Sequence, residues 1–240
     1  MEDRVPVDWA ARVMAQCDST MLRKFASYLP FGTQQELKRM KFRREIRRGE
    51  FRSPEPEFLR LDDWVSPGDW VIDVGANVGH YTLALSALVG PAGRVFAFEP
   101  IPHTFEILAA NAALTRYRNV TLMNAAASDA VRMVGMDLPF FDSGLQNFYQ
   151  ASITANAQAP YQVLALSIDN LCLSGPVSLV KIDAEGHELE VIGGLMRLIE
   201  SKKPVLIVEG TDVSIETLLT GLGYIAGALP NSPNRIYTHR

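Results

Sequence analysis

The sequence predicts an α/β fold in which one mostly parallel sheet is covered by helices on both faces. Three observations point there. From Trp70 onward, short β-rich runs alternate with helical ones, the order that joins parallel strands through crossover helices. The β-rich runs, "VLIVE" among them, are apolar at nearly every position, as strands shielded from water on both sides are. The first of them, "WVIDV", runs directly into a turn of small residues, "GANVG", before a helical stretch.

Taken in order, residues 1–60 read as helical and charged and end in "RSPEPEF". We read 1–55 as a basic helical extension packed on the core, and 56–240 as the main domain. Leu37, Met40, Phe42 and Ile46 supply the stripe that docks the extension. "WVIDV" is a strand, and "HYTLALSALV" a helix turning Leu83, Ala84 and Ala87 inward. "RVFAFE" and "NVTLMNAA" are the next strands, with the helix "TFEILAANAALT" between them. Residues 130–168 break the rhythm with strand-like ends and a polar middle, the place of a lid or binding loop. Then follow the strand "VSLVKIDAE", one helix "HELEVIGGLMRLIE" and the strand "PVLIVEG". "DVSIETLLTGLG" is a helix with a glycine stop, and the tail is two strands around "PNSPN".

Bulk properties narrow the function. A chain of 240 residues with 48% hydrophobic content can build one domain with a sizeable core. A net charge of −4 argues mildly against a coat for nucleic acid. Cys17 and Cys172 match no metal or redox spacing, so two free thiols in a reducing compartment are expected. No apolar run reaches membrane-spanning length, and "MEDRVPVDWAARVM" carries acid where a signal peptide carries base. A soluble, cytoplasmic protein follows. The segment Leu37 to Arg52, "LKRMKFRREIRRGEFR", is dense in Lys and Arg. It is a solvated helix face, or a contact for nucleic acid, an acidic lipid surface or a phosphorylated substrate.

The turn after Val74 places Asp73, Gly75, Asn77 and Gly79 at alternate positions. Glycine there permits φ > 0 and close approach to the backbone, and the following helix aims free N–H groups at the opening. Such turns lie at the carboxyl ends of parallel strands, where ligands bind. Glu99 ends the second strand about 25 residues further on, where an acid can accept hydrogen bonds from both hydroxyls of a ribose. The G-x-G-x-x-G fingerprint that seats a dinucleotide pyrophosphate is absent, since "GANVG" has Asn77 in its middle. S-adenosylmethionine carries a ribose and a zwitterionic tail but no phosphate. Asn77 and Asp73 suit that tail.

Together "VIDVGANVGHYT", "GRVFAFEPIPHTFEILAANAAL", "NVTLMNAAASD", "LSIDNL", "VKIDAEGHELEVIGG" and "KPVLIVEG" resemble the successive motifs of the FkbM family of class I S-adenosylmethionine-dependent methyltransferases, which typically act on oxygen. The resemblance spans about residues 60–210. It implies a Rossmann-like, seven-stranded, mostly parallel sheet with an antiparallel last strand. It also implies cofactor contacts at Asp73, Gly75, Asn77, Gly79 and Glu99, with Ala76, Thr82 and Pro100 in the same motifs. Adenine is implied near Asn124, Ala125 and Ala126. The implied activity is methyl transfer to a hydroxyl of a sugar or natural product.

"KIDAEGHE" holds the candidates for proton removal. Asp183 and Glu185 end a strand facing the same cleft, and His187 opens the next helix. Asp183 is positioned for cofactor or acceptor, Glu185 for acceptor or helix capping, and His187 titrates in the useful range. Lys181 shares a face with Asp183. No third carboxylate completes a divalent-cation site with Asp183 and Glu185 in the sequence, so no metal is expected. His80 opens the first helix, at the surface or near the cofactor, and His103 borders the adenine region. The competing readings are a nucleic-acid methyltransferase, a cofactor-binding module without transfer, and an NAD-dependent oxidoreductase. "IDAEG" stands where an exocyclic-amine enzyme would carry an Asn/Asp-Pro-Pro-aromatic motif, and the missing third glycine disfavours NAD.

Overall fold

The structure is a computed structural model and describes residues 29–139, 147, 150–154, 156 and 158–239. Cys17 and the rest of residues 1–28 lie outside the described residues, as does most of the polar middle of the insertion.

The main sheet is built from β1 (Trp70–Val74), β2 (Arg94–Phe98), β3 (Val120–Met123), β8 (Val177–Ile182), β9 (Val205–Glu209), β10 (Tyr224–Ala228) and β11 (Asn234–His239). Their spatial order is β10-β11-β9-β8-β1-β2-β3. β1, β2, β3, β8 and β9 pair in parallel, and the chain's last strand slots between β9 and β10 antiparallel to both. The order reverses between β1 and β8, the switch point where an open parallel sheet leaves a crevice at its carboxyl edge.

Strand alternation feeds two cores. Ile72, Val74, Phe96, Phe98, Val180 and Ile182 face one side, with the helices α4 (Glu188–Gly193), α5 (Met196–Lys202) and α6 (Val213–Gly221). Val71, Val95, Leu179 and Ile207 face the other, beneath α2 (His80–Val89) and the 3-10 segment Pro56–Asp63. α3 (Pro102–Ala112) buries Leu108 against Ala76 and Ala97.

Three readings of the sequence change. α2 turns Tyr81, Leu85 and Val89 inward, while Ala87 is exposed and Leu83 and Ala84 are only half-buried. "HELEVIGGLMRLIE" is two helices, α4 and α5, broken at Gly194, where a Cβ would stand 1.8 Å from the Ser128 carbonyl oxygen. In the extension, α1 (Phe31–Arg48) docks through Phe42 and Ile46 onto Phe51, Val78, Ile107 and Leu83. Leu37 and Met40 instead face solvent.

The insertion forms its own small sheet, β4-β7-β5-β6, from β4 (Ala126–Ala127), β5 (Arg132–Asp137), β6 (Ser152–Thr154) and β7 (Tyr161–Leu166). The strand-like ends are as read, and β6 adds a strand within the middle. Among the described residues no helix is long and apolar enough to cross a membrane.

Candidate functional site

Register explains the site. Phe98, Val74, Ile182 and Val208 form the last paired row across β2, β1, β8 and β9. One residue further on, the same four strand tips carry Glu99, Gly75, Asp183 and Glu209. Three carboxyl groups and a glycine therefore rim the switch-point crevice.

Gly75, at φ 71°, lets the turn cross β8 closely, because a Cβ there would lie 1.9 Å from the Asp183 carbonyl oxygen. The turn continues through Asn77 and Gly79, both at positive φ, into α2. Glu99 staples it down. Its Oε2 accepts from the Asn77 N–H at 3.0 Å and its Oε1 from the Ile101 N–H at 2.9 Å. Burial pushes the Glu99 carboxyl up to about 8, against the pull of those two N–H groups. Each oxygen keeps a free lone pair.

Behind the turn, Asp73 accepts from the Thr82 hydroxyl at 2.5 Å, while its Oδ1 is buried without a hydrogen-bond partner among the described residues. Burial raises Asp73 to about 6, opposed chiefly by Lys181, its cross-strand neighbour in β8. Lys181 is buried under the Tyr81 ring, and its Nζ meets Asp183 Oδ2 at 2.8 Å. Burial works against the Asp183 carboxylate, but Lys181 and a hydrogen bond from Glu209 outweigh it and hold Asp183 below the usual range. Glu209 is correspondingly pushed up, by burial and then by Asp183, so the pair shares a proton at neutral pH.

Glu185 stands at φ 51° beside Gly186 at φ 90°. It makes no hydrogen bond among the described residues; burial, then Asp183 and Glu188, raise its carboxyl. Capping falls to Glu188, whose Oε1 accepts from the Ala184 and Gly186 N–H groups. His187 has both ring nitrogens engaged, Nε2 with the Ser128 hydroxyl at 2.9 Å and Nδ1 with Glu190 at 3.4 Å.

The cleft is lined by Gly75, Asn77, Glu99, Pro100, Ala125, Ala126, Asp183, Glu185 and His187, all named from the sequence. Asp73, Ala76, Gly79, Thr82 and Asn124 stand outside that lining. Thr82 orients Asp73, Ala76 packs against Ala97 and Leu108, and Asn124 ties down the Glu99 and Pro100 carbonyls. Met136 and Ile153 of the small sheet, and Ala151 just before β6, also line it. The sequence pattern does not single them out, nor Glu209 and Ser128, although these two lie within the motifs "VLIVEG" and "AAASD". Glu209 supplies the third carboxylate missing from the sequence reading: it offers an oxygen within 4.8 Å of those of Asp183 and Glu185. His80 is packed rather than superficial, stacked on Phe51 at 4.1 Å and lowered by burial to about 4. His103 meets Phe31 and Tyr161 edge-on, and Cys172 is an exposed free thiol.

The donor set fits one cofactor chemistry. Carboxyl groups at three strand tips offer acceptors to ammonium and hydroxyl donors, and no Lys or Arg lines the cleft among the described residues. The orphaned Asp73 Oδ1 is one further acceptor beneath the turn. A sheet of this order with an acid-rimmed cleft over its switch point defines a class I methyltransferase. Residues 73–225 match the model of the methyltransferase FkbM domain, and the chain belongs to that family.

Two curated relatives are similar to it. A hexuronic acid methyltransferase, AglP, of Haloferax volcanii is 28% identical over 210 residues, covering 83% of this chain and 78% of the relative. The 31-O-demethyl-FK506 methyltransferase FkbM of Streptomyces tacrolimicus is 28% identical over 201 residues, covering 70% and 76%. A solved FkbM methyltransferase from Methylobacillus flagellatus shares the fold, with a TM-score of 0.52, 16% identity and 97% of this chain covered. This chain spans 61% of the length of that solved chain.

Proposed function

We propose that the protein transfers the methyl group of S-adenosylmethionine to a hydroxyl of a small molecule, a sugar moiety or a natural product. The observation that carries this reading is the row Glu99, Gly75, Asp183 and Glu209 across four strand tips. It offers carboxyl acceptors to a ribose diol and to an ammonium-bearing tail. The relatives' names support a small-molecule acceptor: one is a hexuronic acid methyltransferase, and the other, a 31-O-demethyl-FK506 methyltransferase, names an oxygen.

When bound, the cofactor supplies a methyl already activated by a positive sulfur. What remains for the chain is to position an acceptor oxygen and take its proton. Glu99 holds the ribose hydroxyls, with the Asn77 N–H keeping the turn in register. Ala125, Ala126 and Ile101 form the apolar wall for the adenine. Asp183, ionised and paired with Lys181, offers its remaining lone pairs as acceptors to the ammonium end of the cofactor. Of the three candidate bases, His187 is held through Nε2 by the Ser128 hydroxyl and Asp183 is engaged twice. Glu185 is the unengaged carboxylate with a raised proton affinity, and it receives the acceptor's proton. Met136 and Ile153, packed in one cluster with Ile101 and Ala126, extend the apolar wall.

The test is a melting-temperature shift. S-adenosylhomocysteine, the demethylated product, is expected to raise the melting temperature at micromolar concentration, while NAD leaves it unchanged. Stabilisation by NAD alone would overturn the assignment.

A further inference from the structure

We infer that the outward face of α1 is a docking surface for an anionic membrane. α1 carries seven Lys and Arg residues against two acids, in a chain of net charge −4. Both acids are already engaged: Glu36 holds Arg39 at 2.7 Å and Glu45 holds Lys41 at 3.7 Å. Arg43, Arg44, Arg47 and Arg48 are exposed, and none of them makes an ion pair among the described residues.

The helix buries Phe42. At 3.6 residues per turn, Leu37, Met40, Arg44 and Arg47 fall on the side opposite Phe42. Met40 is 67% exposed and Leu37 48%. Unpaired guanidinium groups and aliphatic side chains thus share one strip.

That mixture separates the possible partners. A nucleic-acid surface combines phosphate contacts with polar or aromatic groups that meet the bases. Bare Leu and Met contribute there mainly as wedges that unstack a base step in the minor groove, whereas a single-strand platform uses aromatic rings. An anionic bilayer takes up both halves of the strip: headgroups attract the arginines, and the acyl boundary accepts the aliphatic side chains. A single short helix of this kind docks weakly and reversibly.

The location gives docking a consequence. The buried side of α1 packs Phe42 on Phe51, Val78 and Ile107, and Phe51 stacks on His80. Val78 and His80 belong to the turn that leads from β1 into α2. Membrane contact through α1 therefore holds the glycine turn one helix layer from the headgroups.

Co-sedimentation of the full chain with vesicles tests this. We expect binding to an equimolar mixture of phosphatidylcholine and phosphatidylserine, none to phosphatidylcholine alone, and release in molar salt, where screening leaves a Debye length of about 3 Å. Arg44→Glu with Arg47→Glu is expected to weaken binding by more than 10-fold, since each basic residue near such a surface is worth about 5-fold. Leu37→Ser with Met40→Ser is expected to weaken it as well, with the melting temperature and cofactor binding unchanged. Absence of binding to the mixed vesicles, or binding that survives the arginine reversals, overturns the proposal. So does polyuridylate binding that ignores the Leu37 and Met40 changes, which would mark a nucleic-acid surface. A dimer dissolved by the Leu37 and Met40 changes would assign the strip to a second copy of the chain instead.

Discussion

Glu99 is a buried acid whose proton affinity is raised even though two backbone N–H groups point at it. A ribose diol donating to its free lone pairs favours the ionised form, so binding should expel a proton. Cofactor affinity is therefore expected to rise with pH until about 8, where the free carboxyl ionises unaided, and calorimetry in buffers of different ionisation enthalpy should register the released proton. Glu99→Gln is expected to weaken S-adenosylhomocysteine by about 1.5–3 kcal/mol, the scale of hydrogen bonds to a charged group. Glu185→Gln is expected to lower kcat by about 10²–10⁴-fold with cofactor affinity retained; equal turnover would move proton removal elsewhere. Although Asp183, Glu185 and Glu209 offer oxygens at ligand spacing, Lys181 already neutralises Asp183 and Glu209 holds a proton. Activity is thus expected to survive a chelator at neutral pH, and loss restored by Mg²⁺ would contradict that. Glu99 and Asp183 were legible in the sequence because each ends an apolar strand within a recognisable motif. Glu209 ends a strand in the same way, but only the pairing of β8 with β9 brings it to Asp183. The engagement of His187 by Ser128 joins residues 59 apart, which no local pattern announces.

Among the elements, strands were easier to read than helix faces. Continuous apolar runs of five or six residues mark a buried strand whichever way it faces. "HYTLALSALV" is apolar nearly all round, so its spacing supports two faces, and contact with Leu61 and Val71 selects the one carrying Tyr81, Leu85 and Val89. "HELEVIGGLMRLIE" fails differently. Its composition suits one helix, yet Gly194 must pass the Ser128 backbone, and the chain breaks there so that Asp169 can accept from the Arg197 and Leu198 N–H groups of α5. Gly194→Ala drives a methyl into a carbonyl oxygen and is expected to destabilise by about 1–3 kcal/mol, read from chemical denaturation. Gly193→Ala is the control, since its Cβ would meet nothing nearer than 3.7 Å. If the two variants were equally stable, Gly194 would not be held by that close approach. The small sheet was legible only at its ends, because β6 has three residues and its pairing with β5 is long-range.

At the scale of the whole molecule, the sheet concentrates buried acids at one edge while its two cores hold the rest. Asp73 is raised from 3.8 to about 6, and Glu99 and Glu209 from 4.5 to about 8. An acid whose proton is held more tightly in the folded state stabilises that state most when protonated. Its contribution is complete below the unfolded value and is lost as pH rises through the folded one. The window set by these groups runs from about 4 to about 8. Asp183, lowered in the fold, acts in the opposite sense at more acidic pH, and His80, lowered from 6.5 to about 4, opposes the fall only up to about 6.5, leaving Glu99 and Glu209 to set the slope above it. The ligand-free protein is therefore expected to melt lower as pH is raised from about 5 to about 9, by roughly 5 °C or more, given about 2–4 °C per kcal/mol for a chain of this size. Saturating S-adenosylhomocysteine supplies donors to Glu99 in its ionised form, so the fall should be shallower with ligand than without. Melting curves across that range, with and without ligand, measure both slopes. A ligand-free profile that is flat or rises with pH would mean that these carboxyl groups are ionised within the fold, and the diol site would then bind without releasing a proton.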